Sequence, residues 1–198
     1  LPIFNFKEHN MKQISSRTLL IGLALAALMG VTRMHHFGSP LHLPDASLAV
    51  FLLAGFFIAS PLFFAGLLLE AGALDYVAIT HLGVDDYCVT PAYWFLIPTY
   101  AVLWYAGRHY VRIHQYSLRC LGIFAAISFT AVNAAFLISN GAFYLFSGRS
   151  EMGMAEYAAR VAQYYGPYLT GAALYLVPAV LLYALISRPA GAAASAAR

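Results

Sequence analysis

The sequence predicts an all-α integral membrane protein with six transmembrane helices, and three observations carry that prediction. Of its 198 residues 62% are hydrophobic and only 10% are charged, against roughly 25% charged in a soluble domain, which leaves too little polar surface to face water. The apolar residues fall into runs that suit spanning helices of about 20 residues. Pro, Gly, Asp and Arg punctuate those runs at intervals that allow about six crossings, so residues 1–198 read as a single membrane domain with no room for a separate soluble one. The net charge of +3 comes from Lys and Arg at segment ends. Basic residues placed there report orientation, and no basic groove points to a nucleic-acid partner.

The first span covers about 18–31 and ends at Thr32-Arg33-Met34-His35-His36, followed by an irregular connection through Gly38, Ser39, Pro40 and Pro44. Its basic approach (Lys7, Lys12, Arg17) resembles a signal peptide, but no small-x-small cleavage site follows, so it is taken as a span. Asp45 is placed to cap the next helix. The apolar run that follows is too long for one crossing, and Ser60-Pro61 breaks it into spans over 46–60 and 61–80. A polar loop from Thr80 to Thr90 holds Asp85, Asp86 and Cys88 and no Lys or Arg. Pro91 suits the first turn of a fourth span over 91–107, with Pro98 as a kink. The fifth span covers 118–146, and an amphipathic piece over 151–163 leads to a sixth over 164–186.

With six spans, Lys7, Lys12, Arg17, the Arg108–Arg119 cluster and Arg188 fall on one side. The positive-inside rule makes that side cytoplasmic, with both termini, and places the Cys88 loop outside. Arg33, Arg149 and Arg160 depart from the rule.

Few residues carry chemistry. Cys88 sits beside a helix start, where amide dipoles favour a thiolate able to act as a nucleophile or soft metal ligand; a semi-buried loop cysteine of no consequence is the alternative. Cys120, among Leu118, Leu121 and Ile123, has the setting of a packed apolar cysteine. Asp75 and Glu70 fall near the outer half of the third span, where a carboxylate faces either a cavity or the interface. Tyr76, Tyr87, Tyr93 and Trp94 gather around the same loop, as an interfacial belt or as a collar for a planar ligand. The histidines lie near segment ends without haem or zinc motifs. Asn133 and Asn140 call for partners on another helix. Gly22, Ala26 and Gly30 form a small-residue stripe on the first span, for packing inside the chain or against a partner helix.

Leu74-Asp75-Tyr76 and the stretch Val84-Asp85-Asp86-Tyr87-Cys88-Val89-Thr90-Pro91-Ala92-Tyr93-Trp94 carry a resemblance. Support comes from His35-His36-Phe37-Gly38-Ser39-Pro40 and Leu43-Pro44-Asp45-Ala46-Ser47. Together they resemble the six-helix S-components of energy-coupling-factor (ECF) vitamin transporters, and more narrowly the solitary cobalamin transporters called BtuM. The likeness in organisation runs from Arg17 to Arg188, and its specific part is the Cys88 loop. It implies an ECF S-component-like fold in a bacterial inner membrane and uptake of cobalamin, vitamin B12, as bound substrate, with no cofactor of the chain's own. It also implies that Cys88 ligates the cobalt, with decyanation of cyanocobalamin as accompanying chemistry, and that Asp75, Tyr93, Tyr87 and His36 line the corrinoid site. Gly22, Ala26 and Gly30 would meet an ECF module of two ATPases and a scaffold, although the stripe is not the family's all-alanine form, which suits a solitary protein. The chain has no phosphate-binding loop. A membrane thiol oxidoreductase, which needs a second cysteine nearby, and an accessory subunit of a larger membrane complex are the other readings.

Overall fold

A computed structural model describes residues 16–34, 43–148 and 152–186 of the chain. Among the described residues six α-helices follow one another: α1 (Ser16–Met34), α2 (Ser47–Phe57), α3 (Pro61–His81), α4 (Leu96–Val111), α5 (Leu118–Phe146) and α6 (Met154–Ile186). Two 3-10 turns, Asp86–Cys88 and Pro91–Phe95, lie between α3 and α4. Among the described residues there is no strand. Helices α1, α3, α5 and α6 are each long and apolar enough to cross a membrane, the composition of an α-helical membrane protein.

Local chemistry explains most boundaries. The Ser60 hydroxyl accepts the Phe63 amide at 3.3 Å with Pro61 in the first turn, so α3 starts where the Ser-Pro break was expected. Ser117 likewise accepts the Cys120 amide at 3.2 Å and opens α5, whose 118–146 extent equals the expected one. Asp45 serves the start of α2 through one oxygen, which accepts the Ser47 amide at 2.9 Å and the Ser47 hydroxyl at 2.6 Å.

The structure corrects several expectations. The second span over 46–60 is instead an 11-residue helix, about 16 Å long, short of the roughly 30 Å of hydrocarbon. Every residue from Ala49 to Gly55 is buried, because a helix apolar all round belongs inside a bundle. It packs on α1, α3, α4 and α6, with Val50, Phe51 and Leu52 shielded almost completely. Pro98 makes no kink: regular helix begins only at Leu96, so the proline falls in the first turn of α4. The amphipathic piece and the sixth span are one 33-residue helix, α6, which contains Pro167 and Pro178. The first helix extends past 31 to Met34, which makes Arg33 helical.

The small-residue stripe of α1 is turned to α3 of the same chain. A Cβ on Gly22 would stand 3.3 Å from the Phe63 ring, and one on Gly30 3.6 Å from Glu70 Oε1; Ala26 packs on the core beside them. Gly22 and Gly30 therefore have neighbours within the chain, with Ala26 and Gly30 only partly buried.

Successive helices run between the same two ends. At one end Arg108 donates to the Ala59 carbonyl at 3.1 Å and lies 4.9 Å over the Trp104 ring, joining the α2–α3 turn to the end of α4. At the other end Arg33, Asp45 and Asp75 meet. Arg17, Arg112 and Arg119 accompany Arg108, whereas Asp85 and Asp86 accompany the acids, so the bundle has a basic and an acidic end.

Candidate binding site at the acidic end

Arg33, in the last turn of α1, organises the acidic end. Its Nε and Nη2 donate to the two oxygens of Asp75 on α3, both at 2.6 Å, a bidentate fork that fixes the carboxylate's orientation. Its Nη1 reaches Asp45 Oδ2 at 3.1 Å, the Ser47 hydroxyl at 3.0 Å and the Tyr100 hydroxyl at 2.9 Å. One guanidinium therefore ties together α1, the approach to α2, α3 and α4. Tyr100 is itself held by stacking on Phe51, with ring centroids 4.2 Å apart. The buried Thr32 hydroxyl adds a second tie by accepting the Ala46 amide at 3.1 Å.

The cluster has an inside and an outside. The Arg33 side chain is only 9% exposed, while those of Asp45 and Asp75 are 25% and 24% exposed. Two carboxylates share one cation, so the cluster carries a formal charge of −1 on its open side. Asp75 Oδ2 also accepts the Tyr93 hydroxyl at 2.7 Å. Asp75 stands six residues, about 9 Å, before the end of α3, so the cluster is recessed below the helix ends.

Above it lies a cavity of about 670 Å3, within the roughly 300–1,000 Å3 of small-molecule sites. Arg33, Asp45, Asp75 and Tyr93 form its polar part; Asp85, Tyr87 and Val89 come from the loop, Asn140 and Phe143 from α5, and Tyr157, Arg160 and Tyr164 from α6. The loop is shaped by Asp85, whose carboxylate accepts the Tyr87 amide at 2.7 Å, and it leans on α5 through Tyr87 and Phe143, 5.4 Å between centroids. Phe95 stacks on Phe146 at 4.8 Å and closes that side.

No family model matches the chain, and no curated protein matches it. The assignment of the site therefore rests on its own geometry.

Three expected site residues, Asp75, Tyr93 and Tyr87, line this one cavity. The backbone of Cys88 closes the 3-10 turn Asp86–Cys88; its side chain lies outside the described residues, and its neighbours Tyr87 and Val89 both line the cavity. The helix start expected beside Cys88 is a five-residue 3-10 turn, so the α4 dipole begins further away, at Leu96. His36 lies outside the described residues. Among those described, no group of three His, Cys, Asp or Glu residues is placed to hold a metal. Glu70 faces Gly30 of α1 rather than the cavity.

Cys120 is buried as expected, its Sγ 3.7 Å from the Ile113 carbonyl at the basic end. Asn133 accepts the Tyr165 hydroxyl of α6 at 2.6 Å, the expected partner on another helix. The Asn140 side chain instead donates to Phe136 of its own helix at 2.9 Å, and it is the Asn140 carbonyl that accepts from Tyr157, at 3.1 Å.

Arg33 and Tyr100 were missed as site residues, and Asp45 was read only as a cap. A signal existed: Arg33 and Arg160 are two of the three arginines that depart from the positive-inside rule, and both line the cavity.

Proposed function

We propose that the protein binds cobalamin in the acidic-end cavity and takes it up across a bacterial inner membrane, with Cys88 as the axial ligand of the substrate's cobalt. The observation that carries this reading is the convergence of Asp75, Tyr93 and Tyr87 on one cavity roofed by the Cys88 loop. A corrinoid presents an apolar ring face and an amide-bearing rim, which suit an aromatic wall and a fixed carboxylate. The cavity is that of a drug-sized ligand, smaller than a whole cobalamin, so the corrinoid lies across the mouth with part of its rim inside. A thiolate is a soft ligand for cobalt. With cyanocobalamin, its lone pair forms the Co–S bond as cyanide leaves with the Co–C pair, a substitution without net oxidation.

In this proposal the chain has the six-crossing organisation of an ECF S-component, with α2 and α4 completed by their flanking turns. The basic end is cytoplasmic, with both termini, and the Cys88 loop faces outward. Because Gly22 and Gly30 are packed on α3, the solitary form is favoured over docking on an ECF module through that stripe. The thiol-oxidoreductase alternative lacks its second cysteine: Cys120 lies at the other end of α4, about 24 Å of helix away, where a disulfide needs Cα atoms within about 7 Å. Nothing specific favours an accessory subunit.

The test is the visible spectrum of purified protein incubated with cyanocobalamin and then desalted, for the parent chain and Cys88→Ala. A retained corrinoid with bands displaced from the cyano form, and no displacement in Cys88→Ala, is the expected result. Retention of no corrinoid by either form would sink the proposal.

A further inference from the structure

The basic end holds a second cavity, of about 380 Å3, enclosed by Phe57 of α2, Leu121 of α5, Val180 and Ala184 of α6, and the connector 114–118. Most of its lining is apolar, and the tyrosines and histidine on its wall are bonded to one another. Tyr116 donates to the Tyr183 hydroxyl at 3.1 Å, and Tyr183 meets His114 Nε2 at 3.2 Å. His114 Nδ1 meets the Tyr110 hydroxyl at 3.0 Å, and Tyr110 donates to the Cys120 carbonyl at 3.0 Å. Since Tyr110 gives its one proton to that carbonyl, it accepts from Nδ1–H, and in a neutral imidazole Nε2 then accepts from Tyr183. Burial lowers the pKa of His114, which favours that neutral form. The wall thus offers no free charge to an occupant.

Charge stands just outside. Arg112 and Arg119 flank the connector that encloses the cavity; both are exposed, and neither side chain makes an ion pair or hydrogen bond with another described residue. Of the other arginines at this end, Arg108 is engaged with Ala59 and Trp104, and Arg17 lies in the first turn of α1. The described carboxylates belong to the acidic end, to mid-α3 or to the start of α6, so no acid here repels an anion. Leu118, which lines the cavity, is 88% exposed, and Leu185, next to the lining residue Ala184, is 65% exposed.

We propose that this cavity holds an acyl chain of an anionic phospholipid whose headgroup rests against Arg112 and Arg119. An apolar interior, two exposed cations flanking the connector that encloses it and exposed leucines beside it are together complementary to one amphiphile: a hydrocarbon chain entering from the bilayer with a negative head. Basic clusters at a cytoplasmic membrane surface attract anionic lipids by an amount equal to about fivefold in affinity per arginine. The site is independent of the corrinoid cavity at the opposite end.

Native mass spectrometry of the full chain, released from mild detergent after incubation with equal amounts of phosphatidylglycerol and phosphatidylethanolamine of identical chains, tests it. The parent protein is expected to retain phosphatidylglycerol in preference. Arg112→Gln with Arg119→Gln should reduce the preference by an order of magnitude or more without reducing phosphatidylethanolamine retention. Ala184→Trp, which fills the cavity, should lose both adducts, and Val180→Phe is the second filler if circular dichroism shows that Trp unfolds the helix. Equal retention of the two lipids by the parent, a preference unchanged in the double variant, or adducts that survive the fillers would each overturn the proposal.

Discussion

Arg33 concentrates the chemistry of the acidic end in one side chain. Its planar fork binds Asp75 at both nitrogens while a third contact reaches Asp45; Lys, a point charge, cannot reproduce that pattern. Removing one member of a buried ion pair costs about 3–5 kcal/mol, because the remaining charge is left uncompensated. Arg33→Gln is therefore expected to lower the thermal midpoint in detergent strongly, with Asp45 and Asp75 left repelling each other. Adding Asp75→Asn should return part of the loss, since one of the two stranded charges goes with it. A double variant no more stable than Arg33→Gln would show that the Asp75 contact contributes little. At this scale Asp75, Tyr93 and Tyr87 were legible, because a carboxylate and tyrosines at a segment end are conspicuous residue types. Arg33 was not, since its acids lie 12 and 42 residues away along the chain, and only folding makes the three neighbours.

Helix α2 illustrates how an element is decided by its neighbour. Two glycines let it touch α4 backbone to backbone: a Cβ on Gly55 would overlap the Trp104 carbonyl, and one on Gly107 would overlap the Leu52 carbonyl. Such reciprocal close approach is how small residues bring membrane helices together. Gly55→Ala or Gly107→Ala should therefore separate the helices and abolish a cooperative melting transition. Gly66→Ala on α3, where a Cβ meets nothing within 4 Å, should be neutral or stabilising by up to about 1 kcal/mol, the helix propensity difference. Equal tolerance at Gly55 and Gly66 in a thermal melt would contradict the packing. Hydropathy with the Ser60-Pro61 break located α3, and hydropathy located α5, whose starts Ser60 and Ser117 cap. It did not show that α2 is short and buried from Ala49 to Gly55, because an apolar run reads the same whether lipid or protein surrounds it.

For the molecule as a whole, the division into a basic and an acidic end makes orientation measurable. In a Cys88→Ala/Cys120→Ala background, single cysteines at Asp86 and Gln115, both exposed, report the two ends. A membrane-impermeant maleimide is expected to label Asp86→Cys in intact cells, and Gln115→Cys only after permeabilisation, as the positive-inside rule requires. The opposite pattern would invert the protein and place the acidic-end cavity on the cytoplasmic side. Composition settled the helical membrane class, because apolar surface of this extent has no other stable setting, and charge placement marked the two ends before any coordinates. Residue type at the loop pointed to where a cavity forms. Which helix is buried on all sides, which small residues face α3, and that a rule-breaking arginine pairs with two acids were decided only by the tertiary structure. The physical reason is that burial and ion pairing depend on what lies across space from a residue, and hydropathy along a chain records only the residue itself.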